Sequence, residues 1–305
     1  MMTAENTHPW RGELGYDEPM AGHTSWRAGG RAKRCYRPAD IADLCRFLRD
    51  LAADEPLLWV GLGSNLLVRD GGFPGTVIFT FGALAELEWP DTETLRAGAG
   101  VSCAKVAREC ARQGLTGVEF LAGIPGTMGG ALAMNAGAFG GETWAHVRAV
   151  ETVDRRGQLH TRPPSAYRIG YRRVQGVPAE WFLAAELGLA HGDVTAAQAR
   201  IRDLLARRGA TQPVQQYSCG SVFRNPPGEH AARLIEAAGL KGLQQGGARV
   251  SDMHANFIIN TGTATATDIE TLINRVRERV AQVHGVRLQP EVRIVGEAGG
   301  ALEAE

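Results

Sequence analysis

The sequence predicts an α+β chain with more than one domain, on three observations. Its 305 residues exceed the roughly 100–200 of an ordinary domain. Short strand-like runs and amphipathic helical stretches both occur, without the steady alternation that builds one doubly wound sheet. Apolar residues make up 44% of the chain and charged residues 22%, with 33 basic and 33 acidic side chains, enough for a large buried core. The balanced charge argues against a polybasic nucleic-acid binder, and the composition against a disordered or collagen-like chain. Lysine stands only at 33, 105 and 241, so arginine supplies the remaining 30 positive charges. Codon composition explains that bias more simply than anion binding, because no basic run stands out.

No stretch approaches the roughly 18 apolar residues of a membrane span. The opening MMTAENTHPWRGELGYDEPM has neither the basic start nor the apolar segment of a secretory signal. Five cysteines, at 35, 45, 103, 110 and 219, are odd in number and lack CxxC spacing, which argues against a disulfide framework and a zinc site. The expectation is a soluble, reduced, cytoplasmic chain without a metal.

Residues 1–20 are polar and read as an irregular arm. Ile41, Leu44, Cys45, Leu48 and Leu51 recur at helical spacing after Pro38 and predict a helix over 39–53. Strands are expected at 57–60 and 77–81. Ser102 can cap a helix that carries Cys103, Val106, Ala107 and Cys110 and stops at Gly114. Two strands flank Asp154-Arg155-Arg156-Gly157, and a third covers 181–189. A helix over 195–208 ends at Gly209, and a main domain boundary falls near its start. Beyond it come a helix at 229–238, a strand at 255–260, a long helix whose Thr267 and Glu270 fit a capping box, and a last strand at 291–295.

Glycine is the strongest compositional signal, with 39 residues, of which eight fall among the 25 from Gly117 to Gly141. A strand running into a Gly-rich turn is a common way to present backbone N–H groups to a phosphate. Neither familiar cradle is present. Gly61-x-Gly63 is followed by Leu66 where a Rossmann fingerprint needs glycine, Gly98-x-Gly100 by Cys103, and Gly-Ile-Pro-Gly-Thr-Met-Gly-Gly lacks the Walker lysine. What stands out is a pair of loops, GLGSNLLVRDGGFPG at 61–75 and FLAGIPGTMGGALAMNAGAFGGE at 120–142. Glycine lets backbone approach a ligand closely, and Ser64 and Asn65 add short hydrogen-bonding side chains. Two such loops in a neutral chain favour a large phosphate-bearing cofactor over ordinary tight turns.

These loops, followed by GYR at 170–172, SCGSVFRNP at 218–226, GLKGLQQGGARVSDMHANFIIN at 239–260 and LQPEVRIVG at 288–296, resemble the UDP-N-acetylenolpyruvoylglucosamine reductase family in sequence and in order. The resemblance runs from about His23 to Gly296, and the absence of an extra tyrosine-bearing loop resembles the family's shorter, second type. It implies a flavoenzyme that uses noncovalent FAD and NADPH to reduce UDP-N-acetylglucosamine enolpyruvate to UDP-N-acetylmuramate for bacterial cell-wall synthesis. The expected partner is that small molecule alone, with no nucleic acid or membrane, and the chain is expected to be a monomer. The implied fold is an FAD-binding module of the vanillyl-alcohol-oxidase and p-cresol-methylhydroxylase type over 21–192, with subdomains of about 21–82 and 83–192. A substrate-binding domain at 196–297 and a tail at 298–305 complete it. The alternative is another flavoprotein of that fold oxidising an alcohol or hydroxy acid, and such relatives often lack the GSVFRNP and PEVRIVG blocks.

By the same resemblance, Gly61, Gly63, Ser64, Asn65 and Leu66 form one cofactor wall, and Ile124, Pro125, Gly126, Gly129 and Gly130 the second. Gly100, Asn135 and Ala138 complete the implied cofactor set. Arg172 is implied as the cation that stabilises charge beside the substrate carboxylate, and Ser221 as the proton donor. Glu291 either orients Arg172 or polarises the enol form. Tyr171, Arg224 and Asn225 are implied substrate contacts, and Lys241 is either a phosphate ligand or a solvated loop charge. Val174 replaces a serine often found two places after the arginine. Cys219 lies two residues from Ser221, but no histidine stands near it in sequence, and it is expected to pack rather than react. His254 and His284 read as ordinary strand and helix-end residues.

Overall fold

The computed structural model describes residues 10–299 of an α+β chain that divides into two compact units. Among the described residues the first comprises 10–15, 35–61 and 76–197, and the second 16–34, 62–75 and 198–299. Two stretches from inside the expected 21–192 span, 21–34 and 62–75, therefore belong to the second unit. Their contacts give the reason. Leu66–Val68 pairs in parallel with Arg293–Val295, Trp26 Nε1 donates to Ile258 O at 2.7 Å, and Asn260 Nδ2 donates to Trp26 O at 2.8 Å.

In the first unit, α1 (Ile41–Asp50) is shorter than the expected 39–53, because Asp40 caps it by accepting the Asp43 amide at 2.7 Å. Its Leu44, Cys45, Phe47 and Leu48 bury against Tyr36, Ile78 and Leu183. Leu57–Val60 appears as expected and pairs in parallel with Thr76–Phe79, the later part of the strand Phe73–Phe79. The larger sheet orders Leu159–Arg162, Val147–Asp154, Glu180–Gly188, Thr94–Gly98 and Leu87–Asp91, all antiparallel. Helix α2 (Cys103–Arg112) is capped by Ser102, and its Cys103, Val106, Ala107 and Cys110 are buried. Of the expected irregular arm, 1–9 lies outside the described residues, and Glu13–Pro19 is a strand. It sits at a sheet edge beside Arg31–Arg37, so backbone pairing makes it a strand despite polar side chains that carry no apolar alternation.

The second unit has a small sheet ordered Tyr217–Ser218, Ile258–Asn260, Ala248–Val250 and Gln244–Gln245. Its core packs Trp26, Leu67, Val222, Phe223 and Ile258 with the apolar stripe of the long helix, Ile269, Leu272, Ile273, Val276 and Val280. Three expected boundaries move here. The strand at 255–260 begins only at Ile258, so His254 stands in a loop; the helix expected at 229–238 is Ala231–Ala237; and the last strand is Arg293–Val295.

The helix expected over 195–208 runs as Val194–Thr211, straight through Gly209. Glycine in a helix costs only about 1 kcal/mol against alanine, and the stop comes from Pro213. The long helix (Ala266–His284) has its capping box at Thr265 and Asp268, two residues before the expected Thr267 and Glu270. Asp70 decides that register by accepting the Ala266 amide at 2.9 Å and the Thr267 amide and hydroxyl at 2.8 and 2.6 Å. Glu270 instead pairs with Arg69 at 2.8 and 2.9 Å.

Asp43 is the first unit's most consequential buried charge. With 0% exposure it accepts from Tyr36 Oη at 2.6 Å, Ala39 N at 3.0 Å and Arg11 N at 2.5 Å. Burial alone would raise its pKa, but these donors outweigh it and hold the carboxyl below the usual range. Asp43→Ala is expected to cost about 2–3 kcal/mol at neutral pH, since it strands buried donors. A carboxylate with a depressed folded-state pKa stabilises above its unfolded pKa and loses that contribution as pH falls through the folded value. Urea denaturation should therefore show the parent–variant gap narrowing below about pH 4; a gap that widened there would contradict the assignment.

Candidate active site

The densest glycine segment folds, in the first unit, into a 3₁₀ turn Glu119–Gly123, the short helix α3 (Met128–Met134) and a hairpin pairing Gly137–Ala138 with Gly141–Glu142. A Cβ at Gly61 would lie 2.3 Å from Thr127 Oγ1, so the first glycine loop lies against the second within this unit. A Cβ at Gly129 would meet Ala99 at 2.9 Å, and one at Gly100 would meet Thr80 O at 1.9 Å. These glycines are required by close backbone packing. Gly130 is different: it is exposed, and its nearest neighbour would be Thr127 Oγ1 at 3.8 Å, leaving space for a ligand. Around them the Ile124 amide donates to Leu121 O at 3.0 Å, Gly126 O accepts the Cys103 amide at 2.9 Å, and Pro125 is exposed.

Helix α3 ends at Asn135, which is 1% exposed and takes the left-handed conformation, φ 49°. Its Nδ2 donates to Glu142 Oε2 at 3.0 Å and to Gly170 O at 3.2 Å, while Oδ1 accepts the Trp144 amide at 3.1 Å. Ala138 stands in the hairpin opposite Gly141. Gly170 opens a second turn, in which Arg168–Gly170 pairs with Arg173–Gln175 and Tyr171-Arg172 form the tip. Arg172 has φ 53°, a conformation that favours glycine or asparagine and costs an arginine about 1–3 kcal/mol. Its Nη2 donates to Gly137 O at 2.6 Å and Nη1 to Asn135 O at 3.4 Å, and its Cζ lies 5.3 Å from the ring of the exposed Tyr171. The result is a guanidinium held on two carbonyls. Val174, on the returning strand, pairs with Ile169.

In the second unit the loop over Gly63, Ser64 and Asn65 is held through its carbonyl oxygens, with the Ser25 amide on Gly63 O at 3.2 Å and the Arg293 amide on Asn65 O at 3.0 Å. That suits a turn whose N–H groups receive a pyrophosphate. Gly63 has φ 60°, and a Cβ there would lie 1.9 Å from His23 O. Asn65 Nδ2 donates to Glu291 O at 3.1 Å, and Leu66 enters the strand beside Arg293. The Glu291 amide donates to Val222 O at 2.7 Å and the Arg224 amide to Gln289 O at 2.9 Å. Ser221, half-buried after Gly220 with φ 72°, is thus brought into the neighbourhood of Glu291 and Asn65. Asn225 Oδ1 accepts the Ala231 amide at 3.1 Å, and Lys241 Nζ pairs with Glu236 at 2.7 Å.

One residue that pattern reading passes over is Asn256 of HANFIIN. Buried, it accepts the Phe223 amide on Oδ1 at 3.0 Å, donates Nδ2 to Phe223 O at 2.8 Å, and receives the Val222 amide on its own carbonyl at 2.8 Å. It fixes the extended segment that follows Ser221. His254 is held below the usual imidazole range by burial, with repulsion from Lys241 adding to it. His284 closes the long helix and contacts Leu234 O at 3.1 Å.

Residues 212–295 match the family described as UDP-N-acetylenolpyruvoylglucosamine reductase, C-terminal domain, and residues 32–162 match the FAD binding domain family. A relative from Alkalilimnicola ehrlichii named UDP-N-acetylenolpyruvoylglucosamine reductase is 65% identical over 94% of this chain and 96% of its own. The chain belongs to the UDP-N-acetylenolpyruvoylglucosamine reductase family. A second reductase of that name, from Methylococcus capsulatus, is 61% identical over 97% of each chain. The crystal structure of a UDP-N-acetylenolpyruvylglucosamine reductase from Thermus caldophilus aligns with a TM-score of 0.77 at 33% identity, covering 93% of this chain and 98% of that one. The FAD-binding module expected from sequence is therefore present, and this reductase-family chain is an FAD-dependent oxidoreductase.

Cys219 packs as expected. Its thiol is directed at Leu66 O at 3.5 Å, and burial pushes its pKa up to about 12. All five cysteines of this reductase-family chain are buried. A thiol reagent at pH 8 should leave the native protein essentially unlabelled and react with every cysteine after unfolding. Rapid labelling of Cys219 in the native state would overturn its assignment as a packing residue.

Proposed function

We propose that this family member reduces UDP-N-acetylglucosamine enolpyruvate to UDP-N-acetylmuramate in bacterial peptidoglycan precursor synthesis, with noncovalent FAD and NADPH as reductant. The 65% identity over nearly the whole chain to a reductase named for that substrate carries the reading. Substrate and reductant are both dissolved nucleotides, so the reaction is placed in the cytoplasm, with the chain acting as a monomer.

Gly61, Gly63, Ser64 and Asn65 of the first glycine loop, and the exposed Gly130 of the second, are the residues that would hold FAD, which would supply the hydride chemistry between NADPH and the substrate's methylene carbon. Arg172 is the cation that opposes the negative charge growing beside the substrate carboxylate. Its planar guanidinium is held in place before the charge develops, so little reorganisation is needed at the moment of reaction. Ser221 delivers its hydroxyl proton to the second carbon, and Glu291 polarises the enol form. Tyr171, Arg224, Asn225 and Lys241 bind the remainder of the substrate.

Two measurements test this. Acid denaturation should release all flavin into the filtrate as FAD; flavin retained on the precipitated chain would contradict noncovalent binding. In anaerobic stopped-flow absorbance, Ser221→Ala should be reduced by NADPH at close to the parental rate. Reoxidation by UDP-N-acetylglucosamine enolpyruvate should slow by roughly 10²–10⁴-fold, the usual cost of losing a general acid. Parental reoxidation in that variant would remove Ser221 from the mechanism.

A further inference from the structure

We propose that Asn135, with Glu142, is the positioning residue that sets Arg172 for the second half-reaction. This rests on the reading of Arg172 given above. The resemblance assigns Asn135 to the cofactor, but its side chain is spent on protein. Both Nδ2 hydrogens are directed, one to Glu142 Oε2 at 3.0 Å and one to Gly170 O at 3.2 Å, and Oδ1 holds the Trp144 amide at 3.1 Å. Only 1% of the residue is exposed.

What Asn135 grips is the start of the Arg172 turn. Gly170 O lies two residues before Arg172, on the strand whose register pairs Gly170 with Arg173. From the other side, Arg172 Nη2 and Nη1 reach Gly137 O and Asn135 O at 2.6 and 3.4 Å. The turn is therefore fastened to one three-residue stretch, 135–137, twice: through its backbone by the Asn135 amide and through its side chain by the two carbonyls. Gly137 permits this, because a Cβ there would lie 3.2 Å from both Arg172 Nη1 and Glu142 Cγ. The stem is fixed separately, with Tyr167 packed where a Cβ of Gly176 would lie 2.2 Å from its ring, and against Trp144 with centroids 4.8 Å apart.

An arginine at positive φ has no preference of its own for this turn, so the contact at Gly170 O holds the backbone while the Gly137 and Asn135 carbonyls hold the guanidinium. Asparagine suits the task doubly: it tolerates the left-handed helix cap and carries two donors and an acceptor on a short arm. Glu142 completes it by fixing which way the amide faces, its carboxylate accepting only from the NH₂ side.

The test compares Asn135→Gly, which keeps the left-handed backbone and deletes the side chain, with Arg172→Ala and the double variant, all as flavin-loaded protein. Flavin content and reduction by NADPH should match the parent. Reoxidation by UDP-N-acetylglucosamine enolpyruvate should fall about 10–100-fold, the scale set by a misplacement of about 1 Å. In the Arg172→Ala background the Asn135→Gly change should cost nothing further, because it acts through the arginine. Glu142→Gln, which keeps a carbonyl acceptor, should retain most of the rate, and Glu142→Ala should resemble Asn135→Gly. Equal losses in both backgrounds, or loss of flavin or of NADPH reduction in Asn135→Gly, would overturn the proposal. If Asn135→Gly does not fold, Glu142→Ala is carried through the same cycle under the same criteria. Failure of the parent protein to be reoxidised by this substrate would instead count against the proposed function.

Discussion

The 2.6 Å hydrogen bond from Arg172 Nη2 to the carbonyl oxygen of Gly137 is the contact on which the placement of the proposed catalytic cation depends. A guanidinium is worth most to a reaction when it is already in place, and an arginine at a turn tip is ordinarily the least fixed of side chains. Here it is tied to a carbonyl whose position is itself determined. Helix α3 must end at Asn135 in the left-handed conformation, and the hairpin after it must turn through Phe139 and Gly140, with φ 53° and 87°. Both positive-φ residues are what a two-residue turn joining antiparallel strands requires. The glycine-rich segment is thus a backbone device twice over, offering open space at Gly130 and presenting carbonyls at 135 and 137.

The second unit solves a comparable problem with a different scaffold. Ser221 precedes a short extended segment that carries few ladder partners, so its placement needs an outside support. Asn256 supplies that support by bonding both the N–H and the C=O of Phe223. The Glu291 amide on Val222 O and the Asn65 amide group on Glu291 O extend the same network to the first glycine loop. The first glycine loop, Ser221 and Glu291 are thereby linked within one unit by main-chain hydrogen bonds and by the side-chain amides of Asn65 and Asn256. Buried asparagine does the anchoring in both units, since one residue type can donate and accept on the same short arm.

How much of this was legible in the sequence follows from the range of each interaction. Ser102 and α2 could be read directly, because a cap and a helical stripe are local patterns. The long helix was legible in its stripe and not in its start. Thr265 with Asp268 and Thr267 with Glu270 both fit a capping box, and Asp70, nearly 200 residues away in the chain, selects the first. Glu13–Pro19 carries no apolar alternation, and its strand comes from a backbone partner. The candidate residues were legible as motifs, while Asn256 was invisible and the contacts of Asn135 unreadable, because both act on segments distant in sequence. No local pattern assigns 16–34 and 62–75 to the unit holding 198–299, since that depends on the parallel pairing of Leu66–Val68 with Arg293–Val295.

The central claim is that this chain moves reducing equivalents from bound flavin to an enolpyruvyl nucleotide sugar. Its most direct test is an anaerobic titration, in D₂O, of the fully reduced holoprotein with UDP-N-acetylglucosamine enolpyruvate, with the product analysed by mass spectrometry. The account predicts that each molecule of substrate returns one flavin to the oxidised spectrum and leaves as UDP-N-acetylmuramate carrying two solvent deuteriums in its lactyl group. A flavin that stays reduced, or that reoxidises without forming that product, would contradict it.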